Sequence, residues 1–102
     1  MGILSSILGR GSNAAAQELI QKGAVIIDVR TAGEFQGGHV AGSKNIPLQE
    51  IKKREKEIMK IGKPLVFCCA SGARSGQATS YFKSKGLECE NGGGWSQVNA
   101  MV

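Results

Sequence analysis

Two short apolar runs without polar alternation constrain this chain more than any other feature: Ala24-Val25-Ile26-Ile27-Asp28 and Leu65-Val66-Phe67-Cys68. A strand wetted on one face alternates apolar and polar residues. An unbroken run needs cover on both faces, which a parallel sheet with helices above and below supplies. The segments around the runs fit that plan. Ala14 to Lys22 reads as a helix, with Asn13 as its N-cap and Gly23 just past its end. Thr31 to Phe35 reads as a helical turn, and Ser43 to Ile46 as a strand stopped by Pro47. Leu48 to Lys60 reads as one surface helix with Leu48, Ile51 and Ile58 on its apolar side. Ser75 to Lys85 reads as a helix closed by Gly86, and Leu87 to Glu90 as a last strand. Gly92, Gly93 and Gly94 then lead into a short terminal helix around Trp95. This alternation predicts an α/β fold with a central parallel sheet flanked by helices on both faces.

A chain of 102 residues predicts one domain, assigned to residues 13–102, preceded by an N-terminal extension, residues 1–12. Met1 to Gly9 is apolar but lacks a basic leading region and is far too short to span a bilayer. Neither a signal peptide nor a membrane span is expected. Lys and Arg outnumber Asp and Glu by 13 to 8, a formal charge of +5. Much of the excess lies in Lys52, Lys53, Arg54, Lys56, Lys60 and Lys63, interleaved with Glu50, Glu55 and Glu57. That pattern reads as a solvated face with pairs such as Glu50–Arg54, and no aromatic or Arg-rich groove accompanies it. No nucleic-acid partner is expected, while the surplus charge favours small anions or an acidic protein.

The cysteines are Cys68, Cys69 and Cys89. An odd number with two adjacent does not make a disulfide framework, and one histidine, His39, leaves no zinc-ligand set. Reduced thiols, a cytoplasmic location, no metal and no cofactor are the expectations. In parallel sheets, ligands sit beyond the carboxyl ends of the strands. Asp28 and Arg30 fall at one strand end and Cys69 at another, so they share a rim when those strands are neighbours.

After Cys69 come the small residues Ala70, Ser71, Gly72 and Ala73, then Arg74, Ser75 and a helical pattern. Small side chains let the backbone wrap tightly, so the N–H groups from Ala70 to Arg74 and the helix N-terminus can form an anion-binding concavity. A thiol with an unperturbed pKa near 8.5 is largely protonated at neutral pH, and such a setting, with the Arg74 charge, favours the thiolate. None of these residues is a general base, which points to a thiolate that itself takes up and passes on a group. Strand alternation sends Cys68 to the opposite side as a packing residue, and Cys89 is expected to pack as well.

At this point the chain resembles the single-domain rhodaneses, sulfurtransferases that carry sulfur as a cysteine persulfide. The resemblance runs in order through Ile27-Asp28-Val29-Arg30, Glu34-Phe35 with Gly38-His39-Val40-Ala41-Gly42, Asn45-Ile46-Pro47, Cys69-Ala70-Ser71-Gly72-Ala73-Arg74-Ser75 and Gly93-Gly94-Trp95. It implies a persulfide on Cys69 with no other cofactor, and a loop from Ala70 to Ser75 that binds the substrate. Arg74 would shape that loop and neutralise its charge. Arg30 would be a substrate-side or bracing charge, Asp28 a structural partner, and His39, Glu34 and Trp95 supports of the fold. The expected reaction moves sulfane sulfur from thiosulfate, polysulfide or a persulfide to a thiol, to cyanide or to a thioredoxin-like acceptor. Ala70 stands where many members carry a basic residue, which turns the expected donor from dianionic thiosulfate toward polysulfide or a protein persulfide. Two rivals remain: a non-catalytic sulfur carrier or regulatory module, and a Cys–x5–Arg phosphatase or arsenate reductase in which Cys68 pairs with Arg74.

Overall fold

A computed structural model describes residues 14–102. The N-cap expected at Asn13 and the extension assigned to residues 1–12 lie outside the described residues. Helix α1 covers residues 14–21, and Gly23 follows it at φ 93°. The chain continues through β1 (Val25–Asp28), α2 (Ala32–Gln36) and β2 (Lys44–Asn45). A 3-10 turn (Leu48–Glu50) and α3 (Glu55–Met59) lead to β3 (Leu65–Cys69), α4 (Ala73–Ser84), β4 (Cys89–Gly94) and α5 (Trp95–Asn99). The four strands form one sheet in the order β2-β1-β3-β4, and every pairing is parallel.

The two apolar runs are the central strands, and each is covered on both faces. Alternation along β3 sends Leu65, Phe67 and Cys69 into a layer with Ala78 and Phe82 of α4 and with Ile51 and Ile58. Val66 and Cys68 point the other way, against Ala16 and Leu19 of α1 and Val98 of α5. All five residues of β3 are buried. The pairing of Asp28 with Cys68 aligns the ends of β1 and β3, so the Asp28–Arg30 segment and Cys69 do share a rim.

Three elements differ from the expectations. The single helix over residues 48–60 is broken at 51–54, where Arg54 adopts φ −103° and ψ 20°. A straight helix would place Glu55 within the apolar stripe between Ile51 and Ile58. The break instead brings Glu55 to the Tyr81 hydroxyl and to Lys85, 3.4 Å away. Arg54 pairs with both Glu50 and Glu57, at 3.4 and 3.0 Å. The second difference is the last strand, which starts at Cys89 and runs through the glycines to Gly94. These glycines serve close packing: a Cβ on Gly92 would stand 2.8 Å from Val66 Cγ1, and one on Gly94 would stand 2.9 Å from the Ala70 carbonyl oxygen. A register shift lies opposite Phe67 and Cys68, where Asn91 pairs with Phe67 and Gly93 with Cys68. The third difference is α4, which begins at Ala73, two residues earlier than expected, because Gly72 at φ 104° makes the N-terminal turn.

Candidate active site

The loop between β3 and α4 closes over the Cys69 sulfur. Gly72 reverses the chain in the left-handed region, where a Cβ would press on Gly93 Cα at 3.3 Å. The reversal turns the Gly72 N–H onto Cys69 Sγ at 3.0 Å, and the first turn of α4 adds the Ser75 N–H at 3.4 Å. Ser75 Oγ lies 3.3 Å from the same sulfur. Of the five N–H groups expected to ring the thiol, Gly72 donates at 3.0 Å and Ser71 contributes more weakly. In the first turn of α4 it is the Ser75 N–H, and not that of Ala73 or Arg74, that points at the sulfur. Burial pushes the Cys69 thiol up. Hydrogen bonds from the Ser75 hydroxyl and N–H, then from the Gly72 and Ser71 N–H groups, more than offset it and hold the thiol below its ordinary value. Ala70, Ser71 and Ala73 stand exposed around the sulfur, whose residue is itself buried.

Cys68 has the opposite character. It faces the other layer, and burial pushes its thiol up to about 12. Cys89 is buried beneath α4 and burial raises it to about 11. Of the three thiols, Cys69 alone is shifted toward the thiolate.

Arg74 does not turn its guanidinium onto the sulfur. Its two terminal nitrogens donate to the two carboxylate oxygens of Glu34, at 2.8 and 3.1 Å. Glu34 also accepts from the N–H and hydroxyl of Thr31, at 3.0 and 3.1 Å, in the capping box that starts α2. The Arg74 guanidinium and the Thr31 N–H hold the Glu34 carboxyl at about 2. The expected loop cation is thus matched by a fixed anion, and Glu34 couples α2 to the loop.

Arg30 makes the contacts of a brace. It is buried, and its Nε and one terminal nitrogen grip the fully buried Asp28 carboxylate at 2.7 to 3.1 Å. Its remaining bonds reach the carbonyl oxygens of Glu34 and Gly38, and Trp95 lies beneath its plane at 5.0 Å. His39 is exposed, stacked on Phe35 at 3.7 Å, with Nδ1 2.7 Å from the Phe35 carbonyl oxygen. It supports the end of α2 and does not contact the sulfur.

Asn91 is the site residue missed in the sequence. Its Oδ1 accepts from the Ser75 hydroxyl at 2.7 Å and from the Gly93 N–H at 2.9 Å, while its Nδ2 donates to the Gly72 carbonyl at 3.0 Å. The signal was alternation continuing from Cys89: residue 91 falls on the same face as Cys69. The glycines that follow disguised the strand.

Among the described residues no His, Cys, Asp and Glu cluster could hold a metal, and no helix is long and apolar enough to cross a membrane.

The profile of the Rhodanese-like domain matches residues 12–100. Uncharacterized protein YqhL of Bacillus subtilis is 43% identical over 63 residues, 62% of this chain and 49% of that protein, so the match spans about half of its length. Thiosulfate sulfurtransferase PspE of Escherichia coli is 36% identical over 74 residues, 71% of each chain. A solved structure described as a rhodanese with anions from E. coli superposes with a TM-score of 0.65 at 34% identity, covering 72% of this chain and 89% of that one.

Proposed function

This chain belongs to the rhodanese-like domain family, and we propose that it is a sulfurtransferase working through a persulfide on Cys69. The observation that carries the reading is the convergence of the Gly72 N–H, the Ser75 N–H and the Ser75 hydroxyl on one buried sulfur held toward its anionic form. A persulfide is an anion, and hydrogen bonds to an anion are the strong kind.

The reaction has two displacements. The Cys69 thiolate attacks the outer sulfur of a donor, the donor's bond to that sulfur breaks, and the leaving group departs with the electron pair. Cys69 then carries S–S⁻, its outer sulfur about 2 Å beyond Sγ. A thiolate or cyanide attacks that outer sulfur, and the Cys69 thiolate is restored. No oxidant, metal or further cofactor enters the balance. Backbone donors that already point at Sγ stabilise the attacking thiolate and need no reorganisation when that thiolate is restored in the second displacement.

The loop's chemistry selects the donor. Ala70 brings no charge, and Arg74 is bound to Glu34. A singly charged hydropolysulfide or a persulfide therefore suits the site better than dianionic thiosulfate. A thiol, including that of a thioredoxin-like protein, is the acceptor class.

Intact-protein mass spectrometry after polysulfide treatment tests the reading. The wild type gains one sulfur and loses it to added thiol or cyanide, and Cys69→Ser gains none. No gain on the wild type, or an equal gain on Cys69→Ser, defeats it. Uptake without release to any acceptor replaces the enzyme with a sulfur carrier. Hydrolysis of an aryl phosphate that depends on Cys68 and survives Cys69→Ser restores the phosphatase.

A further inference from the structure

The Ser75 hydroxyl has one proton and two acceptors within reach. Asn91 Oδ1 lies 2.7 Å from Ser75 Oγ, and Cys69 Sγ lies 3.3 Å from it. The Asn91 amide cannot turn over. The Gly93 N–H donates to its Oδ1 and its Nδ2 donates to the Gly72 carbonyl, so a flip would set donor against donor and acceptor against acceptor. Oδ1 is therefore fixed toward Ser75 as an acceptor.

With Cys69 a thiol, all three groups are satisfied in one direction: S–H to Ser75 Oγ, and Ser75 O–H to Asn91 Oδ1. With Cys69 anionic, that arrangement points a Ser75 lone pair at a negative sulfur. A rotation about the Ser75 C–O bond removes the conflict, giving the proton to sulfur, while Asn91 Oδ1 keeps the Gly93 N–H.

We propose that Asn91 is a positioning residue for Cys69: it sets the Ser75 hydroxyl direction, and that hydroxyl turns from Asn91 Oδ1 to the sulfur as the sulfur becomes anionic. Asn91 thereby favours the resting thiol, and the Ser75 hydroxyl favours the thiolate. The charged and titratable groups around Cys69 are Arg74 on α4, tied to Glu34 on α2, and, on the strands, Cys68 of β3 with the Asp28–Arg30 pair at the end of β1. From β4 the contacts with the loop come from Asn91 and glycines, which are neutral.

The inference rests on the use of Cys69 as a thiolate, and its test uses no sulfur donor, so its failure is separate from a failure of sulfur transfer. Iodoacetamide alkylation is followed against pH in Ser75 and Ser75→Ala backgrounds, each with and without Asn91→Leu. With Ser75 present, Asn91→Leu shifts the midpoint downward by about 0.5–1 pH unit relative to its shift in Ser75→Ala. Equal shifts in the two backgrounds overturn the proposal, because they leave Asn91 acting through Gly72 alone. The wild type gives a reading that needs no variant to fold: the Asn91 side-chain amide resonances titrate at the Cys69 alkylation midpoint. Resonances that stay still through that ionisation overturn it as well.

Discussion

Arg74 and Glu34 meet end-on across 40 residues of sequence, guanidinium to carboxylate, at 2.8 and 3.1 Å. The pair ties the N-terminal turn of α4 to the first turn of α2 and occupies the loop's one cationic side chain.

Releasing that cation changes donor preference. Glu34→Gln frees the Arg74 guanidinium for an incoming dianion, and the KM for thiosulfate falls about two- to fivefold, as expected for an exchanged, partly exposed ion pair. Polysulfide kinetics move less. Steady-state rates with both donors check it, and an unchanged thiosulfate KM refutes a screening role for Glu34.

The same pair carries an acid limit. The Glu34 carboxyl titrates at about 2 in the fold against an ordinary 4.5. A depressed carboxyl stabilises the folded state above its unfolded value, so the contribution is complete above pH 4.5 and is lost as pH falls toward 2. Stability measured by urea at pH 5 and pH 3 therefore falls more in wild type than in Glu34→Gln. The difference is small, because the pair is partly exposed, and equal falls in the two proteins exclude the tether.

Thiol reactivity separates the three cysteines. Cys68 and Cys89 are raised to about 12 and 11, whereas Cys69 is lowered. Native protein at pH 8 takes up one alkyl group; Cys68→Ser leaves its rate near wild type and Cys69→Ser abolishes it. Peptide mapping after brief labelling checks this, and primary labelling of Cys68 defeats the assigned register.

Arg30 is tested through stability. Arg30→Ala strands the Asp28 carboxylate, which is fully buried, and costs about 3–5 kcal/mol. Urea denaturation measures the loss. Unchanged stability with lost sulfur transfer would return Arg30 to substrate contact.

Gly92→Ala tests the close approach in β4. The added methyl meets Val66 and Val98 from the layer beneath and costs about 1–3 kcal/mol by overpacking. A denaturation midpoint equal to wild type contradicts the packing.

The core strands were legible because an unbroken apolar run needs two covered faces, and Cys69 was legible because a strand end, small residues and a helix start follow one another in sequence. The same local logic missed the break at residues 51–54. Glu55 finds Tyr81 26 residues away, and nothing in the 48–60 pattern announces that contact. It also ended the last strand at residue 90, since three consecutive glycines read as loop until Val66, Val98 and Ala70 are known to crowd them.

Local period and residue size are enough to set the parallel α/β plan, the opposite facing of Cys68 and Cys69, and the thiol that ends β3. Tertiary structure decided the partners. It gave Arg74 to Glu34, closed Arg30 on Asp28 and brought Asn91 to Ser75. Long polar side chains reach whichever groups the fold carries within hydrogen-bond distance, and separation along the chain does not encode that distance.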